Sequence, residues 1–233
     1  MFQNTYAPSQ VGVRPDTRLA QAFLTQSFFW MFLGLLVTTG VGFLVSSLPE
    51  ATLSRYYGLA LPLLLVQLGV AVVLGLAIRR ISATVGLLLF FVYAAITGVT
   101  LGFVLLTYEL GSIIAAGSSA AAVFGAAAIY GSVTRRDLSS LGRYLFMGLI
   151  GLLVAMIANM LVGWSWLSFG ISVAGVVIFT VLTAYDVQKI QRGDYAAWAG
   201  SMEKGAVFGA FHLYLDFINL FFMLLRLFGN SRN

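Results

Sequence analysis

Two aspartates lie in segments otherwise built for lipid. The stretch HLYLDFINLFFMLLRLFG, residues 212–229, carries His212, Asp216, Asn219 and Arg226 among Leu, Phe, Ile, Tyr and Met. Asp186 stands in FTVLTAYDVQKIQR, near the end of the preceding apolar run. An ionised side chain at the bilayer centre costs about 2.5–3.5 kcal/mol or more, so such residues face a bundle interior or a water-filled cavity and mark a pathway. Two carboxylates in a low-dielectric site cannot easily both ionise, so a close pair shares a proton and responds to pH. His212, the only histidine, lies one turn from Asp216 and can relay protons or tune that carboxylate. The same ring can equally serve as a hydrogen-bonded packing residue.

The elements that position these groups follow from composition. Sixty per cent of the 233 residues are hydrophobic and 9% are charged, and the mean hydropathy is +0.96. Soluble domains are nearer to 45–50% apolar and roughly 25% charged, so the chain is an integral membrane protein. The absence of cysteine excludes disulfides, thiolate metal sites and a cysteine nucleophile. No zinc helix motif, nucleotide loop or serine elbow is present, and the chain is read as a non-enzyme that needs no cofactor.

A helix needs about 20 apolar residues to cross the hydrocarbon core. Six runs qualify clearly, at residues 22–47, 56–78, 83–107, 112–133, 142–163 and 167–188, and 205–228 is a seventh whose polar residues leave open a full span or a re-entrant hairpin. The breaks between them are too short to fold alone. The expectation is therefore an all-α membrane protein with one transmembrane domain over residues 21–229, a polar tail at 1–20 and a short tail at 230–233. The first apolar run is too long for a cleavable signal core and reads as a retained anchor.

Within the last segment Gly209, His212, Asp216, Asn219, Met223 and Arg226 recur every three or four residues, which is one helical face. A polar stripe among hydrophobic companions belongs at the centre of a bundle. The sixth and seventh helices run antiparallel. For Asp186 to meet Asp216, the sixth must end later than its apolar run suggests, or the seventh must start later. The alternative partners of Asp186 are Lys189 and Arg192 at the membrane rim. Arg226 reads as an interfacial anchor, and Asn159 in the fifth span has no visible role. Glycine, alanine and serine dominate the fourth span, and Gly98 and Gly102 mark the third; these faces are assigned to close helix packing.

Lys and Arg distribute unequally over the two sides. Ten fall on the amino-terminal side: Arg14, Arg18, Arg79, Arg80, Arg135, Arg136, Arg143, Lys189, Arg192 and Lys204. Arg55, Arg226 and Arg232 fall on the other. The bias places the amino terminus in the cytoplasm, and the net charge of +5 is explained by a basic rim facing anionic lipid, with no nucleic acid involved.

The segments AYDVQKI and HLYLDFINLFFMLLRLFG, with the polar loop between them, closely resemble the carboxyl-terminal signature of the Bax inhibitor family, the transmembrane Bax-inhibitor-motif proteins. IRRISATVG, YAAITGVTLG and RRDLSSLG extend the likeness over nearly the whole chain. The resemblance implies seven transmembrane helices with the seventh at the centre of the other six. It also implies a proton-sensitive calcium leak, in which Asp186 and Asp216 form a hydrogen-bonded latch and hold calcium transiently. By the same likeness Arg80, with Arg79 one step away, supplies the basic residue that pairs with Asp186, whereas His212 lies outside the family pattern. Asn219 is a further candidate for an auxiliary role.

Loss of the shared proton would let carboxylate repulsion, or an Arg pairing, open a path for calcium. Two rivals stand beside the leak. One is a non-conducting regulator that binds other membrane proteins, as bacterial relatives are thought to modulate a membrane-bound ATP-dependent protease. The other, an intramembrane aspartyl hydrolase, is disfavoured because Leu215 and Phe217 flank Asp216 where that chemistry has a glycine-aspartate motif. The expected setting is a bacterial inner membrane.

Overall fold

The computed structural model describes residues 17–49 and 60–230. The expected amino-terminal tail up to residue 16, the start of the second span, the last three residues and the side chains of Arg14, Arg55 and Arg232 lie outside them. Among the described residues the secondary structure is helical, without strands.

The long helices are α1 (Thr17–Ser46), α2 (Ala60–Ala77), α3 (Ala83–Thr107), α4 (Leu110–Val133), α5 (Gly142–Val162) and α6 (Ser165–Arg192). A short α7 (Asp194–Ala199) and the final α8 (Met202–Phe228) complete the chain. Six of these are long and apolar enough to cross a membrane; the apolar part of α2, Leu65–Ala77, is shorter.

Local chemistry sets the boundaries. Ser82 and Ser201 cap α3 and α8 by accepting from Val85 N and Lys204 N, each at 3.2 Å. Gly193 (φ 75°) ends α6 and Gly200 (φ 85°) ends α7, both in the left-handed region that glycine enters without a Cβ penalty. Between these glycines, DYAAWA forms a helix where the sequence suggested only a polar loop. Asn159 now has a structural role: its side chain donates to Ser168 Oγ (2.6 Å) and accepts from Trp164 N (3.0 Å), tying the α5–α6 turn.

The last segment is one unbroken helix, about 40 Å long at 1.5 Å per residue. Its first turn lies by the α2–α3 connection, where Lys204 Nζ donates to the Arg79 carbonyl (3.2 Å). Its far end meets the α3–α4 connection, where Glu109 N donates to Asn230 O (3.1 Å). It thus runs the full length of α3, and a re-entrant hairpin is excluded. It is also the most buried of the six span-length helices. Its chief neighbours are α6, α1, α4, α7 and α3. The expected enclosure by all six others is only partly formed, because α2 packs mainly on α3, and α5 on α6.

The small residues work as assigned. A side chain at Gly98 would meet the Thr38 carbonyl and Val41, and one at Gly102 would meet Val45, so α1 and α3 approach backbone to backbone. The face of α4 bearing Ala116, Ala120, Phe124, Ala127 and Gly131 is buried, while its opposite face is exposed. The described basic residues Arg18, Arg79, Arg80, Arg135, Arg136, Arg143, Lys189, Arg192 and Lys204 all sit at or beside the same end of the bundle, and Arg226 sits at the other.

Candidate functional site

Helix α6 supplies Asp186 because it continues to Arg192, four residues beyond the end of its apolar run. Its register against α8 is antiparallel: Ile190 lies on Gly209, Asp186 meets His212, and Gly175 lies on Met223. Asp186 therefore falls between two residues of α8 that are one turn apart. The absence of side chains at Gly209 and Gly175 keeps the helices close on either side of this point.

Both carboxylates are buried, Asp186 at 2% and Asp216 at 4% exposure. Asp186 Oδ1 accepts from the Tyr195 hydroxyl at 2.6 Å. Its other oxygen lies 3.4 Å from His212 Nδ1. Asp216 faces Asp186 within charge reach, while the Thr183 hydroxyl beside it donates to the Phe179 carbonyl (2.8 Å). Its Oδ2 is buried and has no hydrogen-bond partner among the described residues. An unmet buried carboxylate oxygen is costly, and a proton held between the two acids is one way to reduce that cost.

The structure thus brings Asp186, Asp216 and His212 together. It moves His212 from its expected partner: the ring meets Asp186, not Asp216. The imidazole stacks on Tyr195 (centroids 5.1 Å, interplanar 26°) and sits edge-on to Phe208 (4.5 Å). Asn219 lies beside these groups but donates back to the Leu215 carbonyl (2.8 Å).

Arg80 and Arg79 are not brought in. Both are exposed in the turn after α2, and no ion pair joins Arg80 to Asp186. The reason is packing: α2 leans on α3, away from α6, and Lys204 holds the turn at the head of α8. The rim alternatives for Asp186 are also untaken. Lys189 Nζ lies over the rings of Tyr185 (5.2 Å) and Tyr195 (4.9 Å), while Arg192 pairs with Asp137.

Tyr195 is the residue the sequence did not single out. Its available signal was the apolar YAAWA between two glycines, which is short for a helix but has a buried face. Burial, with Asp186 adding, pushes the Tyr195 hydroxyl well above its ordinary range, so it remains a proton-bearing donor to Asp186.

The cavity measures about 820 Å³ and is bounded by α5, α6, α7 and α8. It exists because α5 packs on α6 and leaves a gap toward α8. Deeper along α8 the way is filled: Leu220, Met223 and Leu225 are buried, and Met223 presses on Gly175.

A strap closes the same end of the bundle. Gln188 accepts from Leu138 N and donates to the Arg136 carbonyl, both at 2.8 Å, and Arg192 binds Asp137 and Ser139. The Ser139 N–H and Arg192 hold the exposed Asp137 carboxyl down at about 2. A depressed folded pKa gives stability that is present above the ordinary value and lost as pH falls through the folded one. The Asp137 link is thus expected to persist from pH 8 to 5 and to loosen only between about 4 and about 2. At pH 7.5, Asp137→Asn should speed trypsin cleavage after Arg135 or Arg136; equal cleavage would show that the link does not order the strap. Any response between pH 5 and 8 must therefore arise elsewhere.

Comparison with known proteins bears on nearly the whole chain. The model of the family described as "Inhibitor of apoptosis-promoting Bax1" matches residues 20–233. An uncharacterized protein of Deinococcus radiodurans is 40% identical over 214 residues, covering 91% of this chain and 92% of that protein. Inner membrane protein YbhL of Escherichia coli is 38% identical over 226 residues, 94% and 96% of the two chains. An uncharacterized protein of Borreliella burgdorferi is 39% identical over 224 residues, 94% and 97% of the two chains.

Proposed function

The chain belongs to the Bax inhibitor family, and from that premise we propose that it is a pH-sensitive calcium leak of a bacterial inner membrane, gated by Asp186 and Asp216. The observation that carries the reading is the buried pair itself: two facing carboxylates on adjacent helices, one with an oxygen left unmet, at the inner end of a cavity. A shared proton holds α6 against α8. Its loss leaves two like charges in a low-dielectric site, and their repulsion separates the helices.

In this reading all seven long helices span, α8 forms the middle of the bundle, and the basic end with the amino terminus faces the cytoplasm. Calcium passes and does not reside. Among the described residues no group of three or more His, Cys, Asp or Glu forms a metal cage, so Asp186 and Asp216 act as a transient stop. Arg80 would join only after the helices move. No catalysis is assigned.

The test is calcium entry into liposomes that hold the purified protein and a trapped indicator, measured across pH 5–8. The expected result is entry faster than in empty liposomes and dependent on pH. Entry no faster than in empty liposomes at every pH overturns conduction and leaves the reading of a regulator bound to other membrane proteins.

A further inference from the structure

We infer that the cavity between α5 and α8 binds a phospholipid with a primary-amine headgroup, its ammonium on Asp216 and its phosphate on Lys189. The cavity is open to the surrounding leaflet: Phe146 of α5 lines it and is 64% exposed. Its deeper wall is apolar, with Leu149, Phe179, Leu182 and Leu215 placed to receive the start of an acyl chain.

The polar end selects a charge. Both oxygens of Asp186 are engaged, by Tyr195 and His212, whereas Oδ2 of Asp216 is buried, unmet and on a cavity-lining residue. An ammonium N–H supplies the missing donor, and a charge-assisted bond of this kind is among the stronger polar contacts.

At the mouth, the Lys189 ammonium lies over two tyrosine rings and has no acidic partner among the described residues, which leaves its N–H groups for phosphate oxygens. Tyr195 links the mouth to the buried acids, its ring under Lys189 and its hydroxyl on Asp186.

The same features disfavour other headgroups. An anionic lipid leaves Asp216 unmet and meets Asp194 at the mouth. A quaternary ammonium has no N–H to give. The local rings do not form an open cage for it, because Trp198 stacks on Phe208 (4.8 Å) and Tyr195 on His212 (5.1 Å). The site goes beyond the leak, since lipid can occupy it whether or not calcium passes.

Native mass spectrometry of the purified protein, incubated with equal amounts of dioleoyl phosphatidylethanolamine, phosphatidylcholine and phosphatidylglycerol, tests the site without a calcium gradient. The expected result is ethanolamine lipid retained over both others by about tenfold, the scale of one charge-assisted hydrogen bond. Asp216→Asn should reduce it to the level of the choline lipid. Leu149→Trp, which fills the apolar wall and leaves the carboxylates intact, should lower its retention as well. Equal retention of ethanolamine and choline lipids by the parent overturns the proposal, as does an unchanged preference in Asp216→Asn. A failed calcium assay leaves this result standing, and the reverse also holds.

Discussion

In the liposome assay, Asp216→Asn is expected to cut calcium entry by about tenfold at the pH where the parent leaks most, and to flatten its pH profile. Tenfold corresponds to only about 1.4 kcal/mol, a small part of what two unscreened carboxylates exert on each other. The amide has the shape of the carboxylate, but its N–H donates to Asp186 at every pH. The variant therefore mimics the pair with its proton retained. Asp186→Asn should also blunt the pH response, with an added cost in stability. Asp186 anchors Tyr195 as well as His212, so its amide loosens α7, whereas Asp216 holds no such element. A parent-like pH profile in Asp216→Asn would remove the pair from gating, whatever the absolute rate.

The largest structural effect is expected at Gly131, far from any charge. A Cβ there would run into the backbone of Ala184, including its carbonyl, and backbone cannot move aside as a side chain can. Gly131→Leu should force α4 from α6 immediately beside Asp186. Overpacking costs about 1–3 kcal/mol and sometimes more. At roughly 2–4 °C per kcal/mol for a chain of this size, the melting temperature should fall by up to about 10 °C. Gly125→Leu on the same helix is the matched control, because nothing lies within 4 Å of a Cβ there. Leucine is also a better helix former than glycine, so the control should melt at or slightly above the parent. Equal melting of the two variants would mean that the α4–α6 contact does not limit stability.

The sequence by itself determined the medium, the class and the long helices. Apolar runs are local properties, and the boundaries of α3, α4 and α5 agree with the runs to within two residues. The asymmetry of Lys and Arg, the close packing at Gly98 and Gly102, and the burial of Asp186 and Asp216 were legible for the same reason: each is carried by residue type and spacing along one helix.

Tertiary structure decided the partners. Asp186 lies against His212 and Tyr195 because α6 outlasts its apolar run and α7 folds back between two left-handed glycines. Neither fact has a periodic signal, since a six-residue helix is too short to show one. Arg80 stands apart from Asp186 because α2 leans on α3, and Lys189 turns to aromatic rings instead of the acid one turn away. Which groups meet across a bundle depends on interhelical register and tilt, and these are set by the summed packing of faces that are distant in sequence.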